Sequence, residues 1–189
     1  AKYSRPPYLK SRMEYKLDID YKLGLHESLN QSSDVWDFDK EKYDPEKLEW
    51  DMCNFMLNNK GIGLAANQID LKKRVFVMGS KDIPNFPKPF ALFNPTILEA
   101  SNETVMDTEG CLSYPGLLIK VTRPSWIVGQ WQNAQGETKE AKIQGYLAKC
   151  FQHEFDHLNG ICFVDRVSRL KLQLALKKLN KLRKKLKND

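Results

Sequence analysis

Asp44-Pro45-Glu46 opens the first clear periodic stretch of the chain. It supplies an N-cap, a proline suited to the first helical position and an acid favoured by the helix dipole. Leu48, Met52, Phe55 and Met56 then recur on one helical face, and Gly61 stands where a left-handed cap would end the helix. Next, Arg74-Val75-Phe76-Val77-Met78 reads as a short strand, and 90–97 as a second extended segment broken by Pro95. A meander of three strands is expected at 117–122, 125–132 and 138–143, with Asn133-Ala134-Gln135-Gly136 as the turn between the last two. Leu147, Phe151, Phe155 and Leu158 share a face and predict a helix over 145–159, closed by Gly160. A third helix is expected from near Val167 to the end. Its apolar stripe is Leu172, Ala175 or Leu176, Leu179, Leu182 and Leu186, with Lys and Arg on the other faces. Helices and strands do not alternate strictly, and no repeat or linker interrupts them, so the fold class is α+β.

With 189 residues at 41% hydrophobic composition, the chain can close one sizeable core, and a single domain over 1–189 is expected. The polar stretch 28–42 reads as a mobile loop. Four cysteines at 53, 111, 150 and 162 form no CxxC pair and no disulfide framework, which fits a reducing compartment. Neither a signal-peptide core nor an apolar run of membrane-spanning length is present, so no membrane partner is expected. The compartment is read as cytoplasm, or an organelle's matrix or stroma if a leader preceded Ala1. Net charge is +6, yet residues 166–189 alone carry ten Lys or Arg against one acid, so the remainder, with 20 basic and 23 acidic residues, is slightly acidic. Basicity therefore belongs to the C-terminal helix.

Candidate chemistry centres on His153-Glu154-Phe155-Asp156-His157, an HExxH motif inside the second expected helix. Residues four apart on a helix share a face, so the two imidazoles can bind one metal ion. They are two of only three histidines; the third, His26, reads as an ordinary surface residue. A catalytic site of this type uses three protein ligands and leaves a position for water. No further His or Glu stands at the downstream spacing common in metalloproteases, so Cys162, Asp165 and Cys111 are the candidates for the third ligand. Cys162 sits in an apolar run, as a packed thiol would. Cys111 lies in Glu109-Gly110-Cys111-Leu112-Ser113, read as a polar loop, where a presented thiolate and a buried structural thiol weigh about equally.

Three segments occur in order: Gly61-Ile62-Gly63-Leu64-Ala65-Ala66-Asn67-Gln68, then Glu109 to Ser113, then His153 to Leu158. Together they resemble the GxGxAAxQ, EGCLS and HExDHL motifs of the peptide deformylase family, and the resemblance covers about 45–166, including Arg123-Pro124. Asn67 departs from the Thr or Pro common at its position, and the polar stretch before Asp44 is longer than usual.

The resemblance implies antiparallel or mixed sheets packed around a central HExxH helix, with the amphipathic C-terminal helix added. It also implies removal of the formyl group from the N-terminal methionine of nascent polypeptides. Cys111, His153 and His157 would hold one divalent metal, ferrous iron in the family, with Zn2+, Ni2+ or Co2+ able to substitute. Glu154 would move the proton, while the Gln68 amide and the Leu112 backbone N–H would stabilise the formyl oxygen. Gly61 and Gly63 would let the backbone approach an extended substrate, and Ile62 would line the methionine pocket. Glu109 and Arg123 would pair and steady the Cys111 segment, against a reading as surface charges. The basic helix would serve as a ribosome contact, against the plain reading of a docked helix with a solvated charged face. Two other functions compete: a metallopeptidase, which HExxH would also serve, and a noncatalytic nascent-chain or RNA binder.

Overall fold

A computed structural model describes residues 27–188; His26 and the residues before it lie outside the described residues. Helix α1 spans Pro45–Asn58, capped by the Asp44 side chain, which accepts from Glu46 N at 3.2 Å. The left-handed residue closing it is Lys60, at φ 58°, rather than Gly61. Gly61 instead donates its N–H to Met56 O, and an added Cβ there would press on the Leu112 and Met56 side chains.

Seven strands follow: β1 Gly63–Ala65, β2 Val75–Met78, β3 Phe90–Ala100, β4 Thr104–Cys111, β5 Tyr114–Pro124, β6 Trp126–Gln132 and β7 Thr138–Gln144. They make a five-stranded antiparallel sheet in the order β1-β2-β3-β6-β7 and a separate hairpin of β4 and β5. The expected three-strand meander is therefore wrong in its first member: β5 pairs with β4, and only β6 and β7 are neighbours. The chain changes sheets at Ser125, where the Ser101 hydroxyl accepts from the backbone N–H of Ser125 and Trp126. Pro95 does mark an irregularity, a register shift between Phe93 and Thr96. Beside it Asn94 takes φ 48°, and its side-chain amide pairs with both the N–H and the C=O of Trp36.

Period-2 alternation divides the large sheet between two helices. Val75, Val77, Ala91 and Phe93 pack with Leu48, Met52 and Met56 of α1 on one face. Phe76, Met78, Leu92 and Ile127 pack on the other with Ala148, Phe151 and Leu158 of α2, which spans Gly145–Leu158. Helix α2 turns its remaining face to the β4–β5 hairpin, which positions the site. Gly160 closes the region after α2 at φ 73°, and a Cβ there would lie 2.9 Å from Asn30 backbone.

The stretch 28–42 is not a loose loop. Leu29 and Trp36 are fully buried, and Ser33 N–H donates to Leu158 O at 2.8 Å while Arg74 N–H donates to Asp34 O at 2.7 Å. Its polar composition hid two anchors that dock on the core. Helix α3, Arg169–Asn188, packs against the β5 side through Leu172, Ala175 and Leu179, whereas Leu182 and Leu186 of the expected stripe stay exposed. Among the described residues no helix is long and apolar enough to cross a membrane.

Candidate active site

His153 and His157 are buried one turn apart on α2, and Glu154, next to His153, is buried against Gly63 of strand β1. The thiol that joins them comes from Cys111, which is the last residue of β4 rather than part of a loop. Its Sγ lies 3.3 Å from His157 Nε2, and donor atoms of Cys111, His153 and His157 all fall within 4.8 Å of one another. Of the other third-ligand candidates, Cys162 packs behind His157, its Sγ 4.0 Å from Nδ1. Asp165 accepts from the Cys162 N–H and caps a short turn. All four cysteines are free.

Two residues before Cys111 on the same strand, Glu109 accepts from His153 Nδ1–H at 2.8 Å and from Arg123 at 2.6 and 3.0 Å. Holding Nδ1 in this way leaves His153 Nε2 for the cluster, the arrangement a metal-binding imidazole needs. Arg123 also donates to Asp156 at 2.8 Å, and Asp156 takes two further bonds from Arg166. Arg123 and Glu109 are buried, so the surface reading of that pair does not hold. Burial would raise the pKa of Glu109, but the hydrogen bonds from His153 and Arg123 outweigh it and hold the carboxyl at about 2.

The electrostatics suit a cation. Burial lowers the pKa of His157 well below its ordinary value, helped by the positive charges of His153 and Arg123, which keeps this imidazole neutral. His153 is pulled the other way: burial lowers it, but hydrogen bonds to Cys111 and Glu109 raise it well above the usual value. Surroundings that hold a proton so firmly at that point would also hold a metal ion. Burial pushes Glu154 up to about 7, and its Oε2 is buried with no hydrogen-bond partner among the described residues.

Gly63 has a steric reason to be glycine, since a Cβ there would stand 2.5 Å from Glu154 Oε1. Gln68 is buried; its Oε1 accepts from Ala65 N–H at 2.9 Å, while Nε2 donates to Ser113 Oγ at 3.1 Å and lies 3.4 Å from Cys111 Sγ. Its amide is thus aimed at the cluster as well as at the backbone. Gly61, Ile62, Gly63 and Leu112 line a groove of about 320 Å3 that opens onto Cys111, His153 and Glu154. Of the nine residues expected to hold metal, substrate or the reacting groups, all line this groove except His157, which is fully buried.

Three contributors escaped the sequence reading. Asp156 and Arg166 extend the Arg123 pair, and the signal was available in Asp156, three residues after His153 on the same helix face. Asn67, noted only as a departure, fastens the β1 segment by donating to His157 O at 2.6 Å and Ser28 O at 3.1 Å.

Comparison with known proteins agrees with this geometry. The family model described as polypeptide deformylase matches residues 23–173. The chain belongs to that family. The match reaches beyond the 45–166 covered by motif resemblance. A peptide deformylase of Thermotoga sp. (strain RQ2) is 44% identical over 128 residues, 68% of this chain and 75% of the relative. The crystal structure of a Synechococcus elongatus peptide deformylase in complex with actinonin superposes with a TM-score of 0.77 at 32% identity, covering 88% of this chain and 90% of that one. A Met-Ala-Ser-bound class I type b peptide deformylase from Acinetobacter baumannii superposes with a TM-score of 0.71 at 33% identity, over 78% and 96%.

Proposed function

We infer that this deformylase works through Glu154, Gln68 and Leu112 around a divalent ion held by Cys111, His153 and His157. The enzyme is a metal-dependent hydrolase that removes the N-formyl group from the N-terminal methionine of nascent polypeptides and releases formate. The observation carrying the residue assignment is the juxtaposition of one thiol and two imidazoles within 4.8 Å beside a buried carboxylate with an unpartnered oxygen.

A divalent ion in such a set supplies Lewis acidity, which makes water a stronger acid and draws electron density from a carbonyl oxygen. Glu154 takes a proton from the attacking water and returns it to the departing amine, a task suited to a carboxyl with a pKa of about 7. The Gln68 amide and the Leu112 backbone N–H donate to the formyl oxygen as negative charge builds on it. Strand β1 is an edge of the large sheet, so an extended peptide can add alongside it, a mode largely indifferent to sequence. Ile62 then borders the methionine side chain. The relative crystallised with Met-Ala-Ser supports this, since that tripeptide is what deformylation of formyl-Met-Ala-Ser leaves. A metallopeptidase is disfavoured because the polypeptide deformylase family model covers the whole site and no further His or Glu follows HExxH at the spacing common in metalloproteases.

Gln68→Ala is expected to lower kcat by about 100- to 1000-fold with metal content intact, the usual loss for one oxyanion donor. Steady-state rates beside metal analysis check this, and a variant retaining wild-type kcat would remove Gln68 from the mechanism.

Ferrous iron, which the family resemblance implies, is proposed for this set, and the donors themselves would also accept Zn2+, Ni2+ or Co2+. Helix α3 carries nine Lys or Arg and no acid, and its exposed face is proposed to meet ribosomal RNA where nascent chains emerge. The compartment proposed with it is the cytoplasm or an organelle's matrix or stroma. Co-sedimentation with ribosomes is expected to fall steeply with added salt and to disappear on deleting 169–188; binding that survives the deletion would contradict it.

A further inference from the structure

Behind the groove lies a second cavity of about 170 Å3, bounded by Val105, Val121, Pro124 and Arg123 among others. Joined to the groove it would add roughly half as much space again. The two spaces share three wall residues: Glu109, Tyr146 and Lys149. Glu109 is fixed by His153 and Arg123. The partition can therefore yield only at Tyr146 and Lys149.

Lys149 is a strut from α2 to β4. Its Nζ donates to Asp107 Oδ2 at 3.0 Å and to Thr108 O at 2.9 Å, and it sits 4.1 Å from the Tyr146 ring centroid. The side chain is only 15% exposed, so the ammonium is tethered at the rim while the methylene stem fills the wall. Tyr146 leans in turn on Phe86, with ring centroids 5.9 Å apart. Tyr146, Lys149, Cys150 and His153 follow one another at spacings of three, one and three along α2, and all four line the groove. From His153 toward the start of α2 the groove is lined by Cys150, then Lys149 and Tyr146, with Ile62 in the same lining.

We propose that Lys149, pinned to Asp107, together with Tyr146 sets the depth of the pocket for the substrate's first side chain, and that the cavity behind them is a latent extension for longer apolar chains. This rests on the deformylation assigned above. The extension offers Val105, Val121 and Pro124 to an alkyl or thioether chain. Its one cation, besides Lys149, is the Arg123 guanidinium, already engaged by Glu109 and Asp156.

The test is the ratio of kcat/KM for a formyl-tripeptide with a long unbranched first side chain to that for formyl-Met-Ala-Ser. It is measured in the wild type, Lys149→Ala and Asp107→Asn. Lys149→Ala is expected to raise the ratio by about tenfold or more, because a single methylene in an apolar pocket is worth at least that. Asp107→Asn leaves the stem in place but loosens its anchor, so it should raise the ratio by a smaller factor. A ratio unmoved in both variants overturns the proposal, including the case where both substrates slow together. Wild-type turnover of formyl-Met-Ala-Ser is read separately, and its absence would overturn the underlying activity rather than the partition.

Discussion

Glu154→Ala should abolish most deformylation while leaving the metal bound. The expected fall in kcat is about 100- to 10,000-fold, the range that a positioned acid–base group supplies. Its carboxylate lies next to the donor cluster but outside it, 4.0 Å from His153 Nε2, so the three donors remain when it goes. Burial against Gly63 raises its pKa to about 7, where the group is equally ready to accept and to give a proton. Rates measured beside metal per chain separate the two roles. A variant that loses metal together with activity would make Glu154 a ligand, and one that keeps full activity would leave the proton without a carrier.

The largest effect on stability is expected at Arg123. This guanidinium bridges Glu109 and Asp156 inside the protein, and Arg123→Ala would leave two buried carboxylates facing each other. Breaking a buried pair in this way costs about 3–5 kcal/mol; Asp156 keeps Arg166 and Glu109 keeps only the bond from His153, so the loss falls mainly on Glu109. A pH signature follows. Glu109 titrates at about 2 in the folded chain, against about 4.3 for an unfolded glutamate. Its stabilisation is thus complete above the unfolded value and is lost as pH falls toward 2. Without Arg123 that depression shrinks, so acid unfolding should begin at higher pH than in the wild type. Thermal melts of both proteins across this range check it, and coincident acid limbs would mean that Arg123 does not hold Glu109 in its charged form.

The helix that carries the chemistry was legible because its signals agree: an apolar face at helical spacing, HExxH on the opposite side and a glycine at its end. Elsewhere the local pattern was weaker than the tertiary context. Strand β4 has one buried residue, Glu109, among eight, so no hydrophobic alternation announces it, and the sequence alone makes Cys111 look like a loop residue. Strand β1 is only three residues long and small in composition. The change of sheets at Ser125 depends on the Ser101 hydroxyl, 24 residues away in sequence, which no turn motif reveals. Cys111, His153, His157 and Gln68 were found by motif; the Arg166–Asp156–Arg123–Glu109 chain behind them was only half visible. Its members are spread over four elements, and each alone looks like an ordinary surface charge.

The most direct test of the site is formate release from formyl-Met-Ala-Ser by anaerobically prepared protein. It is compared with the chelator-stripped protein and with the stripped protein reloaded with Fe2+, Zn2+, Ni2+ or Co2+. Release that vanishes on stripping and returns on reloading, fastest with Fe2+, is the expected result. Release undiminished by complete removal of metal would contradict a reaction centred on Cys111, His153 and His157.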